Sequence, residues 1–355
     1  VKVMGKLIIN DKLNRIEPYI VDKTEYSVKL DANESFLNFP QSLKEELMDA
    51  LMKVLYNRYP DPESEQLCRL YGQYCGVDSK YILAGNGSDE IIQTLMNGFL
   101  NCGDAVLTLK PDFSMYKFYA SLLGAYVYEY DLDENLTFDL EDFIRVALDE
   151  EVKIIIFSTP NNPTGAVVSR EHIIKIVEET DALVVVDEAY FEFHGETVVD
   201  LITKYENLAV LRTCSKAMGL AAARVGFIIA GESIIRNFKK VKAPYNVNSL
   251  SQATASVMLR HPEIIKDNIK QIVKERDYLY QELCKLQQND SFKVYPTCAN
   301  FIYIKTERAK ELNEALKKQG IAIRCFGESL RINAGSREEN LRLIETLSCA
   351  LKDLK

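Results

Sequence analysis

From residue 81 onward, short aliphatic runs alternate with stretches in which apolar positions recur every three or four residues. A run that is apolar at every position suits a strand buried on both faces, and the helical recurrence suits an amphipathic helix. The pattern predicts strands at 81–84, 105–109, 125–130, 153–158, 182–187, 208–213 and 224–230, with helices at 88–100, 115–123, 140–148 and 170–178. Such alternation builds a mainly parallel sheet with helices on its faces. Upstream, helical spacing over 40–55 stops at Tyr56-Asn-Arg-Tyr59-Pro60-Asp-Pro62, where prolines end it, and resumes over 63–75.

After Lys242-Ala-Pro244 a long helical stretch covers 249–286. The segment 292–296 follows, then strands are expected at 300–305, 321–325 and 330–333, and helices at 309–319 and 337–351. The expected architecture is therefore α/β, with a three-layer α/β/α large domain over 36–244 and a smaller α+β domain over 245–355. Residues 1–35 read as an arm that packs on the small domain or on a partner subunit.

Composition narrows the function. With 47% hydrophobic and 27% charged residues, the 355-residue chain resembles a soluble globular protein large enough for two domains. A net charge of −9 offers no basic footprint, so nucleic acid is not an expected partner. No apolar run reaches the roughly 18 to 20 residues that a membrane span needs, and the first apolar stretch is short for a signal sequence. A cytoplasmic location is expected. Eight cysteines without a C-x-x-C and three scattered histidines support neither a disulfide framework nor a metal site.

Four predicted strands end in polar sets, where open α/β sheets place their ligands. Gly85-Asn-Gly87-Ser88-Asp89-Glu90 opens a helix, and a helix N-terminus approached by glycines can cradle a phosphate. It lacks the third glycine of a dinucleotide loop and the lysine of a Walker loop, and it can equally be a capped turn. Asn162, in Ser158-Thr-Pro-Asn-Asn162-Pro163-Thr-Gly165, is an amide held between prolines, suited to a phenolate oxygen or to a plain turn. Asp187, in Leu183-Val-Val-Val-Asp187-Glu188-Ala-Tyr190, is a carboxylate that is costly to bury without a cation. It can face a ring nitrogen while Tyr190 donates to the ring oxygen; a helix cap or a metal ligand is the other reading. Lys216 lies between the apolar run 208–211 and the Gly/Ala-rich run 217–223, where desolvation lowers an amine's pKa and favours Schiff-base chemistry. A surface lysine at a strand end has the same local pattern. Together the four match the polar handles of pyridoxal 5′-phosphate.

At this point the chain resembles the fold-type I pyridoxal-phosphate aminotransferases of the class I/II group, and within it the histidinol-phosphate aminotransferases. The resemblance runs over nearly the whole chain. It is carried by Leu30-Asp-Ala-Asn-Glu34, Arg58-Tyr-Pro-Asp-Pro62, Gly85-Asn-Gly-Ser-Asp-Glu90, Asn161-Asn-Pro-Thr-Gly165, Asp187-Glu-Ala-Tyr190, Arg212-Thr-Cys-Ser-Lys216, Lys242-Ala-Pro-Tyr-Asn-Val-Asn248 and Leu330-Arg-Ile332.

The resemblance implies transamination of L-histidinol phosphate with 2-oxoglutarate. Lys216 would form the internal aldimine and carry the proton between the substrate α-carbon and the cofactor. Asp187 would hold the ring nitrogen; Asn162 and Tyr190 would hold the ring oxygen, and Phe113 would stack on the ring. Gly87, Ser88, Asp89, Thr213, Ser215 and Arg224 would surround the cofactor phosphate. Tyr59 would reach that phosphate from the other subunit of a homodimer with shared sites. Tyr19, Asn33, Arg324 and Arg331 would face the substrate. Two departures stand out: Ser35-Phe-Leu-Asn-Phe39 replaces Pro-x-Gly-Pro after the arm, and Pro111-Asp-Phe113 replaces Pro-Thr-Tyr. They leave open an aromatic amino-acid aminotransferase or a threonine-phosphate decarboxylase. A regulator that keeps the fold as a sensor would carry an added DNA-binding segment, for which 355 residues leave no room.

Overall fold

The computed structural model describes residues 24–287 and 292–353. Its first strand, β1 (Val28–Leu30), belongs to a small sheet; the next seven strands form a large one. These are β2 (Ile82–Gly85), β3 (Ala105–Lys110), β4 (Tyr126–Asp131), β5 (Ile154–Ser158), β6 (Leu183–Asp187), β7 (Leu208–Thr213) and β8 (Gly226–Ala230), in the order β2-β8-β7-β6-β5-β3-β4. Only β8 runs antiparallel to its neighbours. The expected strands are present with ends shifted by a residue or two.

Two helical layers cover this sheet, and strand side chains alternate between them as the pleat requires. Ile154, Ile156, Val185 and Leu211 pack beneath α3 (Gly87–Phe99), α4 (Met115–Leu122) and α7 (Glu232–Val241). Ile155, Phe157, Val184 and Val186 face the opposite core, with α2 (Glu65–Cys75), α5 (Leu140–Asp149) and α6 (Arg170–Glu179). Burial on both faces explains why these strands read as unbroken apolar runs. Helix α7 escaped the sequence pattern: its buried residues Ile234, Ile235 and Phe238 form a narrow stripe among polar ones.

The small sheet has the order β1-β11-β12-β10-β9, built from β9 (Lys293–Val294), β10 (Phe301–Lys305), β11 (Ile321–Phe326) and β12 (Ser329–Asn333). Helices α10 (Ala309–Lys318) and α11 (Arg337–Asp353) cover it together with the later part of α9 (Pro262–Leu286). Strand β1 pairs in parallel with β11, so the end of the expected arm is stitched into the small domain.

The expected domain edge at 244 lies upstream of where the cores divide. Helix α8 (Ser249–Leu259) packs on α2 and on α1 (Lys44–Met52), and Val247, Met258 and Ile265 sit in the large-sheet core. The small-domain core begins at Leu279, so the chain crosses between bodies along α9. Continuous helical spacing through 249–286 hid this change of partner.

Candidate active site

The site gathers at the carboxyl ends of β2, β5, β6 and β7, facing the small sheet. The chain leaves β2 at Gly85 and enters α3 at Gly87, whose φ of 81° is left-handed. A Cβ on Gly87 would stand 2.5 Å from an Arg224 guanidinium nitrogen, so only glycine lets backbone and guanidinium meet here. Gly226 gives the same clearance to the Ser88 N–H. Glu90 occupies the place of a third glycine, and its carboxylate accepts from Asn86 N–H at 2.5 Å and from Asn246 Nδ2 at 2.7 Å, fixing the loop.

After β7, the Thr213 hydroxyl donates to Ser215 Oγ at 2.9 Å and accepts from the Ser215 N–H at 3.1 Å. Arg224, itself left-handed at φ 51°, donates to Ser215 Oγ at 3.5 Å and to Asp89 Oδ2 at 3.3 Å. Free N–H groups at a helix start, two hydroxyls and a guanidinium thus converge on one point. That donor set suits a phosphate dianion.

Asp187 ends β6, buried. It accepts from Tyr116 Oη at 2.7 Å and from the Ala189 N–H at 3.1 Å. Among the described residues no lysine or arginine pairs with it. The nearby buried cation, Arg212, goes to the next carboxylate instead: it donates to Glu188 at 2.9 and 2.8 Å and lies 3.5 Å over the Phe191 ring. Burial lifts the Asp187 carboxyl to about 6, against hydrogen bonds that pull it down. A buried anion left without a cation fits a protonated ring nitrogen.

Asp112 lies close behind. Its carboxylate accepts from Phe113 N–H at 2.7 Å, from Ser158 N–H at 3.0 Å and from the Ser158 hydroxyl, and that same hydroxyl accepts from the Asn162 N–H at 2.9 Å. Asp112 therefore ties the loop of Phe113 to the loop of Asn162. Phe113 is half-buried and packs edge-on against Tyr116 with centroids 5.5 Å apart.

Lys216 sits three residues past β7, with its amine 5.8 Å from the Tyr190 ring centre and donating to Ala32 O at 3.0 Å. Burial, then the positive charges of Arg331 and Arg224, bring its pKa down to about 8. Tyr190 Oη accepts from Asn33 Nδ2 at 2.8 Å. Arg331, on β12, donates to Asn162 Oδ1 at 2.5 Å and to Asp31 O at 2.6 Å. Arg324, on β11, stands directly opposite Arg331 in the antiparallel register, so both side chains leave the same face of the sheet. Their guanidiniums lie 5.8 and 5.5 Å from the Phe326 ring centre.

The residues singled out from the sequence thus come together around one cleft, with two exceptions. Tyr19 lies outside the described residues. Tyr59 is 80% exposed and stacks on Tyr245 at 4.6 Å, and it hydrogen-bonds none of the phosphate-cup residues. Sequence reasoning passed over Tyr116, Asp112, Ser158, Asn300 and Asn333. Asp112 left a trace as a departure from the family pattern, Ser158 as the start of the Asn162 motif, and Tyr116 as an aromatic in a helix that opens after a strand end.

Comparison with known proteins places the chain in a family. The family profile described as aminotransferase class I and II matches residues 26–347. A histidinol-phosphate aminotransferase of Clostridium novyi (strain NT) is 45% identical over 335 residues, covering 93% of each chain. One from Thermoanaerobacter pseudethanolicus (strain ATCC 33223 / 39E) is 41% identical over 346 residues, covering 96% of this chain and 97% of the relative. The crystal structure of histidinol-phosphate aminotransferase from Sinorhizobium meliloti with pyridoxal-5′-phosphate superposes with a TM-score of 0.89 over 97% of both chains, at 20% identity, a likeness of fold. No helix among the described residues is long and apolar enough to cross a membrane. From its sequence and its architecture, the chain belongs to the class I and II aminotransferase family.

Proposed function

We propose that the protein uses pyridoxal 5′-phosphate to transfer an amino group from L-histidinol phosphate to 2-oxoglutarate, in the cytoplasm and as a homodimer. The observation that carries the substrate is the pair Arg324 and Arg331, side by side on one sheet face that meets Asn162. A single guanidinium suffices for a carboxylate; two suit a phosphate dianion. The relatives named histidinol-phosphate aminotransferase support the same choice.

The bound cofactor supplies an electron sink for the charge left when a proton leaves the substrate α-carbon. The protein does the rest. Gly87 and Ser88 N–H groups, the Thr213 and Ser215 hydroxyls and the Arg224 guanidinium bind the phosphate, with Asp89 holding Arg224 in place. Asp187 keeps a proton on the ring nitrogen. Asn162 Nδ2 and Tyr190 Oη fix the ring oxygen, and Phe113 covers the ring. Lys216 Nζ would take up and hold the proton that leaves the substrate α-carbon. Asp31, Ala32 and Asn33 border the substrate side of the site. The partner subunit's Tyr59 would complete the phosphate site; within twelve residues of chain Met48, Met52, Leu55, Tyr56 and Tyr59 are all exposed, which supports burial against a second copy.

Steady-state kinetics with histidinol phosphate, phenylalanine and tyrosine tests the assignment. Histidinol phosphate is expected to be the preferred donor; preference for an aromatic amino acid, or carbon dioxide release from threonine phosphate, would overturn it. Arg324→Ala is expected to lower kcat/KM for histidinol phosphate by about 10- to 100-fold, the worth of charge-assisted hydrogen bonds, and to spare the aromatic amino acids. Equal losses on both would reject a phosphate role for Arg324. Gly87→Ala is expected to weaken pyridoxal phosphate binding by about 10-fold or more, because it strains the left-handed turn and displaces Arg224. Equilibrium dialysis measures this.

A further inference from the structure

We infer that Asn33 is a positioning residue that acts through Tyr190: by donating to the phenol oxygen, it commits the phenol's one proton to the cofactor ring oxygen. The inference rests on the pyridoxal phosphate reading above. Asn33 is buried, 1% exposed, in the left-handed region at φ 55°, a conformation that asparagine and glycine tolerate best. Its N–H donates to Asn333 Oδ1 at 3.2 Å, and its carbonyl accepts from Asn300 Nδ2 at 3.1 Å. Asn333 at the end of β12 and Asn300 just before β10 therefore hold its backbone from both sides.

The side chain is left with one recorded hydrogen bond, Nδ2 to Tyr190 Oη at 2.8 Å, and its Oδ1 has no partner among the described residues. A phenol carries a single proton. With a lone pair engaged by Asn33, that proton points away from the arm, and accepting a bond makes the O–H a stronger donor. The two preceding residues act alongside, since Asp31 O receives Arg331 and Ala32 O receives Lys216. Three consecutive arm residues thus meet three site side chains, and only Asn33 does so through a side chain that another residue type would lack.

The charged groups acting on Tyr190 are Arg331, Asp187 and Asp89, with the Lys216 amine over its ring. Those acting on Lys216 are Arg331, Glu34, Arg224 and Asp89. Asn33→Gly changes none of them and keeps the left-handed backbone. The readout is the pH midpoint of the visible absorption of lysine-bound pyridoxal phosphate, which needs no turnover. A hydrogen bond to the ring oxygen favours the deprotonated form, so Asn33→Gly is expected to raise the midpoint by about 0.3 pH units. In a Tyr190→Phe background the same substitution is expected to leave it unchanged.

An unchanged midpoint in Asn33→Gly overturns the inference, and so does a fall, which would mean that Tyr190 donates to Asn33. Asn33→Asp preserves size and backbone preference should the glycine variant fold poorly; its upward shift is expected to shrink in the Tyr190→Phe background, and an undiminished shift overturns the inference. Wild-type protein that takes up no pyridoxal phosphate would sink the functional reading itself, a separate result.

Discussion

Lys216→Ala is expected to lower transamination by about 10⁴-fold or more and to abolish the visible absorption of bound pyridoxal phosphate. The amine serves twice in the mechanism, as the covalent anchor and as the base at Nζ, so no neighbour compensates for both. Its setting makes it competent. A lysine at its ordinary pKa is neutral in roughly one molecule in three thousand at pH 7, whereas at about 8 roughly one in ten is neutral. Burial is the largest cause of that change, with the positive charges of Arg331 and Arg224 adding to it. Retention of both activity and absorption in the variant would remove Lys216 from the mechanism. Because the side chain's recorded hydrogen bond is to the Ala32 carbonyl on the arm, the substitution leaves the core of the sheet intact.

Asp187→Ala is expected to reduce kcat by about 10³-fold while cofactor affinity falls by only about 10-fold. The split follows from the two jobs of the carboxylate. In the proposed mechanism, holding the cofactor is shared with the whole phosphate cup, whereas keeping a proton on the ring nitrogen falls to Asp187. The next carboxylate, Glu188, is committed to Arg212, and Asp112 to the Phe113 and Ser158 N–H groups, so neither stands ready to take over. Truncation also strands the Tyr116 hydroxyl, and Asp187→Asn separates that packing effect from the lost charge. Near-normal turnover in either variant would contradict an electronic role.

The parts of the site that were legible in the sequence share one property: their residues lie within a single stretch at a strand end. Lys216, Thr213, Ser215 and Arg224 fall within twelve consecutive positions, from 213 to 224. Asp187 announced itself as a charge closing an apolar run. That the buried arginine Arg212 pairs with the next carboxylate, Glu188, and leaves Asp187 without a cation is a choice of one residue that the sequence pattern did not show. Asp112 was visible only as a departure from a family pattern, and its role as a tie between two loops spans 46 residues of chain. Tyr116 reaches Asp187 across 71. The contribution of Asp31 and Ala32 is made by backbone carbonyls, which carry no residue signature.

By itself, the sequence determined the seven strands of the large sheet, the helices around it other than α7, and the four polar strand ends. Local apolar periodicity and turn chemistry act over a few residues, and they suffice for these. Tertiary structure decided where α8 packs, that residues 28–30 become a strand, that Arg324 and Arg331 stand opposite each other, and which carboxylate remains without a cation. Each of these depends on which surfaces meet across long chain separations, through burial and hydrogen-bond satisfaction that no local pattern encodes.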